Sequence, residues 1–242
     1  MKYMGSKNRI AKEILPIMLE EAEKYGVTTW VEPFVGGANM IDKVPDSFTK
    51  IGADINPYLI KALILIRDSP EKIPNLITED HYQMLKKHMN VDGITGFVGF
   101  SMSFGGKFFG GYRRDKAGTK GCLENMKTQS ISSKKSALKQ SPLLQDVRFI
   151  NESYLDLRIP DNSLIYCDPP YEGTTKYKND FNHAIFWNWC RDMSRKGHRA
   201  FISEYKAPYD FECVWEKKIN SSLAISKGRK AVEKLFRPCT LL

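Results

Sequence analysis

The 242-residue sequence contains no Cys-x-x-Cys pair; its five cysteines, at positions 122, 167, 190, 213 and 239, are odd in number and far apart. That spacing argues against both a disulfide framework and a zinc site, and reduced thiols in a cytoplasmic protein are the simple reading. The four histidines are scattered, so no His/Cys metal cluster is expected. No uninterrupted apolar run comes near the roughly 20 residues that span a bilayer; the longest is 62–66. The opening Met1-Lys2-Tyr3-Met4-Gly5-Ser6-Lys7 lacks the apolar core of a signal peptide, so a soluble chain without a membrane partner is expected. There is no Gly-x-Gly-x-x-Gly fingerprint, no Lys-Ser/Thr phosphate loop and no internal repeat.

What is present is a globular balance of 42% hydrophobic and 27% charged residues, in a length suited to one α/β domain carrying a smaller lobe. Lys and Arg number 37 against 28 Asp and Glu, a net charge of +9. The excess suits a polyanionic partner, because cations that neutralise phosphates release condensed counterions. A merely basic soluble protein has the same count.

Residues 10–25 read as a helix with Ile10, Ile14, Ile17 and Met18 on one face. Residues 29–33 read as a strand entering the glycine turn Phe34-Val35-Gly36-Gly37-Ala38, and 50–55 as a second strand with Asp54 near its carboxyl end. Asn56-Pro57 caps a helix over 58–67. This order opens a nucleotide-binding α/β sheet. Strand-like runs resume at 147–150, 163–167 and 199–203, with a helix over 183–196 and an edge strand at 213–217. Between them, 93–145 is rich in glycine and aromatics, then in Lys, Ser, Thr and Gln from 116 to 140, with little apolar periodicity in the first half of that section. The expected division is a catalytic domain of 1–70 and 146–242 and an inserted lobe of 71–145.

The strongest chemical signal is Asp168-Pro169-Pro170-Tyr171, directly after the apolar Leu164-Ile165-Tyr166-Cys167. Consecutive prolines cannot continue a central strand, so the chain breaks at the carboxyl edge of the sheet, where α/β proteins bind ligands. An aromatic amine is a poor nucleophile because its lone pair is delocalised into the ring. Acceptors on both N–H hydrogens, from the Asp168 carboxylate and the Pro169 carbonyl, favour a pyramidal nitrogen with an exposed lone pair. Pro170 stiffens the turn, and Tyr171 offers a ring on which an extruded base can stack.

The second signal is Glu32-Pro33-Phe34-Val35-Gly36-Gly37. Glycines allow a cofactor close to the backbone, and an acid at the strand end can take an ammonium group. Asp54 follows about 20 residues later, the spacing at which an acid meets ribose hydroxyls. Two acids and a glycine turn suit a nucleoside cofactor without phosphates, and S-adenosyl-L-methionine fits that description better than NAD or ATP.

In order along the chain, Lys2-Tyr3-Met4-Gly5-Ser6-Lys7, Glu32-Pro33-Phe34-Val35-Gly36-Gly37, Ala53-Asp54-Ile55-Asn56-Pro57 and Asp168-Pro169-Pro170-Tyr171 resemble the motifs of the Dam-type DNA adenine-N6 methyltransferases. The resemblance extends to Phe201-Ile202-Ser203-Glu204-Tyr205. It implies a mostly parallel, seven-stranded Rossmann-like sheet with an inserted, mainly helical target-recognition lobe. It implies S-adenosyl-L-methionine contacts from Tyr3, Lys7, Asp54 and Asp168, with Ser153-Tyr154 beside the cofactor adenine; Glu32, Phe34 and Gly36 complete the expected cofactor set. The implied partner is double-stranded DNA, with a restriction endonuclease as a partner at the level of the system. Tyr112-Arg113-Arg114-Asp115 stands where the family usually has Tyr-Arg-Tyr-Asn and a following Asn-Pro or Asn-Val-Pro, so GATC specificity is not implied. Within it, Tyr112, Arg113 and Arg114 are the DNA-contact candidates.

The catalytic tetrapeptide would equally serve an RNA adenine-N6 or a DNA cytosine-N4 methyltransferase, and a non-catalytic DNA-binding module could retain the same fold. Pro238-Cys239 resembles the nucleophile of cytosine-C5 methyltransferases but is read as chance, outside any strand. Phe186, Trp187, Trp189 and Cys190 read as core; Arg191, Arg195 and Lys196 as a solvated face; His81 and His88 as surface helix residues. Tyr177 is either a base-pocket or a loop aromatic, and the basic run 227–230 either a phosphate contact or a solvated turn.

Overall fold

The centre of the parallel sheet is a strand too apolar to face water on either side. In the computed structural model, which describes residues 1–114, 123–173, 181–219 and 231–239, β1 (Thr29–Glu32), β2 (Thr49–Ala53), β3 (Val147–Ile150), β4 (Ser163–Cys167) and β5 (Arg199–Glu204) run parallel. All five residues of β4 are buried, as expected of a strand covered on both faces. β6 (Phe211–Ile219) and β7 (Ala231–Pro238) pair antiparallel, and β7 joins β5, giving the order β3-β2-β1-β4-β5-β7-β6. The expected seven-stranded, mostly parallel sheet is therefore present. β1 lies between β2 and β4, and the chain winds outward in opposite directions from that pair. The switch point thus opens at the carboxyl ends of β1 and β4.

Helices α1 (Ala11–Lys24), α2 (Pro57–Asp68) and α6 (His183–Arg195) cover the sheet. Ile14, Leu15, Met18 and Ala22 form the buried stripe of α1. The Asn56 side chain caps α2 by accepting from the Tyr58 and Leu59 amides at 3.1 and 3.4 Å. Phe186, Trp187, Trp189 and Cys190 of α6 are core residues, as their spacing suggests.

Residues 71–145 contribute helices α3 (Glu79–His88), α4 (Gly93–Ser101) and α5 (Leu123–Gln140). The glycines of α4 have a packing reason. A Cβ on Gly96 would lie 2.0 Å from the Tyr58 carbonyl oxygen, and one on Gly93 2.9 Å from that of Lys61. α4 therefore rests directly on the backbone of α2, and Phe97, Val98 and Phe100 enter the same core as the sheet. Helix α5 was hidden in the sequence because the face it buries is polar. Gln129, Ser130, Ser133, Ala137 and Gln140 repeat at helical spacing but are not an apolar stripe. Hydrogen bonds replace hydrophobic contact: the Ile77 amide donates to Ser130 Oγ at 2.9 Å. Gln140 Nε2 donates to the carbonyls of Gly37 and Ala38, both at 3.1 Å, and to Asp42 at 2.9 Å. The end of α5 thereby pins the glycine turn after β1. Gln140→Ala is expected to cost about 1–3 kcal/mol, because it leaves the buried Ala38 carbonyl without its donor and takes one acceptor from the Met1 ammonium. A urea midpoint equal to that of the wild type would show that the clamp adds nothing.

No sequence motif marks β7, and its presence corrects one expectation: Pro238 ends that strand, so Pro238-Cys239 does lie in a strand context. Asp115, Tyr177 and the run 227–230 lie outside the described residues. Among the described residues no helix is long and apolar enough to cross a membrane.

Candidate active site

Carboxylates converge on the switch point because successive parallel strands end there. Asp168 follows β4, Glu32 ends β1, Asp54 follows β2 and Glu204 ends β5. A fifth, Glu233, arrives from β7. Lys7, in the turn before α1, reaches the same place and is itself buried.

Lys7 Nζ lies 2.9 Å from Asp168 Oδ1, 3.7 Å from Glu233 Oε2 and 4.6 Å from the centre of the Tyr171 ring. It also donates to the Gly5 carbonyl at 3.2 Å. Burial works against this ammonium, but Asp168 and Glu233 beside it more than offset the cost and hold its pKa above the usual lysine value. Burial raises Asp168, against the pull of Lys7. The Tyr171 hydroxyl donates to Glu233 Oε2 at 2.8 Å, and its ring meets Tyr205 edge-on at 4.6 Å. Burial and the nearby carboxylates push the phenol far above its normal range, so it stays a donor. Glu204 accepts from the Glu172 amide at 3.1 Å and the Tyr205 amide at 2.7 Å. Burial pushes its carboxyl up to about 7 despite those bonds. It fixes the backbone just after Tyr171 from the adjacent strand.

The glycine turn forms the neighbouring wall. Gly36 has φ +51°, a left-handed conformation that favours glycine, and a Cβ there would meet the Tyr3 ring at 3.0 Å. At Gly37 a Cβ would approach Tyr3 Cβ to 2.7 Å and the Met1 carbonyl oxygen to 2.8 Å. Tyr3 and the turn are thus in van der Waals contact. Asp54 accepts from the Asn56 amide at 2.9 Å and from the Gly36 amide, yet burial still lifts its carboxyl to about 6. Phe34 and Tyr154 stack obliquely at 5.2 Å, with Phe181 at 5.8 and 5.9 Å from them, forming an aromatic wall beside the turn. Ser153 caps the turn that carries Tyr154, its Oγ accepting from the Leu155 amide at 3.3 Å.

Glu32, expected to take an ammonium group, turns inward from the end of β1. Its carboxyl is buried, accepts from Trp30 Nε1 at 2.9 Å and is pushed well above the carboxylate range by burial. Tyr112 also turns inward. It is buried against Tyr82 at 5.4 Å, its hydroxyl donates to the Ile77 carbonyl at 2.6 Å, and its pKa is pushed up to about 12 by burial. Arg114 is ion-paired with Glu79. No ion pair is made by Arg113 among the described residues; it lies close enough to Lys2 to add to the depression of that ammonium's pKa, which burial dominates. Arg113 therefore lies beside the N-terminal motif.

The sequence reading missed Glu233, Glu204, Phe181 and Gln140. Glu204 stood within a motif but without a role, Glu233 lies on the unread strand, and Phe181 and Gln140 carry no motif.

The family model for D12 class N6 adenine-specific DNA methyltransferases matches residues 3–99 and 100–218, and the chain belongs to that family. Among characterised proteins it is similar to the type II methyltransferase M.FokI of Planomicrobium okeanokoites, 23% identical over 211 residues, 79% of this chain and 31% of that protein. The chain thus spans about a third of the length of that relative. Among solved structures, similarity extends to the Haemophilus influenzae protein HI0767, described as a methylase, with 9% identity, a TM-score of 0.38 and coverage of 98% and 92% of the two chains. The Escherichia coli protein yhhF, described as a methyltransferase, gives 7%, 0.36, and 95% and 86%. Likeness at that level carries no weight for the activity.

Proposed function

We propose that this protein transfers a methyl group from S-adenosyl-L-methionine directly to N6 of an adenine extruded from double-stranded DNA. The observation that carries the reading is the placement of Asp168, with Pro169, Pro170 and Tyr171, at the switch point beside a cradle suited to a nucleoside. The fit to the cofactor rests on chemistry present in the site. Gly36 and Gly37 let Tyr3 lie directly on the turn, Asp54 at the end of the next strand would serve the ribose hydroxyls, and Phe34 with Ser153-Tyr154 would flank the adenine. When bound, S-adenosyl-L-methionine supplies an electrophilic methyl group on sulfur.

The protein's own groups then have defined tasks. Asp168 and the Pro169 carbonyl accept the two N6 hydrogens and favour a pyramidal nitrogen, while Pro170 holds the geometry. As the nitrogen gains the methyl group, the Asp168 carboxylate would stabilise the cationic amine and pass its surplus N6 proton to water. Orientation and fixed charge provide the acceleration, and no covalent enzyme intermediate is needed. Tyr171 and Tyr205 flank the place the base must enter. A cytoplasmic location and a restriction endonuclease in the same system accord with this reading. The test is transfer of labelled methyl to duplex DNA, single-stranded DNA and RNA of matched composition. Preference for duplex DNA is expected, and preference for RNA would overturn the substrate assignment.

Recognition is assigned to residues 71–145, with Arg113 the leading contact because Arg114 already has Glu79. Arg113→Ala is expected to lower methylation of the preferred site by about 1–3 kcal/mol relative to its single-base variants if it reads guanine. If it binds phosphate, all sequences weaken alike and the salt slope falls by about one unit. Arg114→Ala should do less in either respect. A substrate library methylated at two salt concentrations distinguishes these outcomes. Unchanged preference and slope in Arg113→Ala would move recognition elsewhere.

A further inference from the structure

A buried carboxylate near a reacting amine needs a reason, and Glu233 is not accounted for by any sequence motif. It is 7% exposed, and its Oε2 accepts from the Tyr171 hydroxyl at 2.8 Å and lies 3.7 Å from Lys7 Nζ. Among the described residues, Lys7 alone is in ion-pair contact with Glu233 or Asp168. The arrangement creates a conflict for the reaction. At 2.9 Å Lys7 occupies an oxygen of Asp168, the carboxylate that must accept from the substrate amine. Simply expelling the ammonium would leave it buried and unpaired, which is costly. An alternative carboxylate less than 4 Å away removes that cost.

Resting on the proposed reading of the site, we infer that Glu233 is a positioning residue for methyl transfer: it holds the Tyr171 hydroxyl and takes over the Lys7 ammonium, leaving Asp168 to the target amine. Three features of the structure favour this. Lys7 lies between the two carboxylates with its shorter contact to Asp168, so passing to Glu233 requires closing a gap of less than 1 Å beyond hydrogen-bond range. Tyr171 links Glu233 to the catalytic tetrapeptide, and Lys7 also lies over its ring, so a shift of Lys7 is felt by the aromatic wall of the base site. The charges also match the proposed cofactor, since two carboxylates against one ammonium leave a negative excess that a sulfonium neutralises. Tyr171 is then more than a stacking surface, because its hydroxyl is the link.

Glu233→Gln keeps the shape and can still accept the Tyr171 hydroxyl, but it removes the charge that receives Lys7. It is expected to lower kcat on the order of tenfold to a hundredfold while the KM values for DNA and cofactor change less than about threefold. Tyr171→Phe, a milder change to the fold, should lower kcat about tenfold by breaking the link. The double variant should be no worse than about twofold below the poorer single one, because both act through one network. A merely structural glutamate would instead lower the thermal midpoint and leave the kcat of the folded fraction intact. An active wild type whose Glu233→Gln and Tyr171→Phe variants keep its kcat, or whose losses multiply in the double variant, would overturn the inference alone. A wild type that methylates no adenine in any duplex would overturn the proposed function and this inference with it.

Discussion

Asp168→Ala is expected to reduce methyl transfer on the order of a thousandfold or more while leaving a folded protein that binds DNA. The magnitude follows from two losses at one atom pair. The acceptor that orients the amine is gone, and so is the negative charge that stabilises the nitrogen as it becomes cationic; removing one preorganised group of this kind typically costs about 10²–10³ in kcat. Folding should survive because the buried Lys7 ammonium retains a carboxylate, Glu233, 3.7 Å away. Asp168→Asn is the sharper variant, since it preserves volume and one acceptor oxygen but not the charge. Single-turnover transfer measured with saturating cofactor and DNA separates chemistry from binding. A rate within tenfold of wild type in Asp168→Ala would remove this residue from the chemical step.

Asp54→Ala should weaken cofactor binding about tenfold to a hundredfold, the equivalent of losing a hydrogen bond to a charged group worth about 1.5–3 kcal/mol. The pH dependence gives a second signature. Burial lifts the Asp54 carboxyl from 3.8 to about 6, so the folded protein binds this proton more tightly than the unfolded chain does. Ionisation therefore costs stability as pH rises from near 4 through 6, with no contribution below 4. Cofactor binding runs the other way, because ribose hydroxyls donate to the ionised form. Affinity should fall by up to about tenfold per pH unit below 6, and an Asp54→Asn variant should lose that component. The comparison with Asn is needed because Glu204, at about 7, titrates nearby. Calorimetry giving an unchanged dissociation constant for folded Asp54→Ala would take the residue out of the cofactor site.

The parts of this fold that follow one rule per residue could be read without coordinates. Strand β4 and the Pro-Pro break after it, the Asn56-Pro57 cap, and the apolar faces of α1 and α6 each announce themselves locally. Helix α5 did not, because Ser130, Ser133 and Gln140 bury hydrogen bonds where a periodicity search looks for hydrocarbon. β7 was missed for a related reason: Glu233 and Lys234 interrupt its apolar pattern, and the interruption at 233 is the buried carboxylate itself. Side-chain direction was the other gap. Sequence placed Glu32 at the strand end and Tyr112 beside two arginines, but only the packing around Trp30 and Tyr82 turns both inward.

Digestion to nucleosides after incubation of duplex DNA with S-adenosyl-L-methionine carrying an isotopically labelled methyl group tests the assignment of chemistry most directly. Mass spectrometry should find the label in N6-methyladenine, in an amount that tracks enzyme and is lost in Asp168→Ala. Label in N4-methylcytosine, or no labelled nucleoside from a folded, cofactor-binding protein, would contradict it.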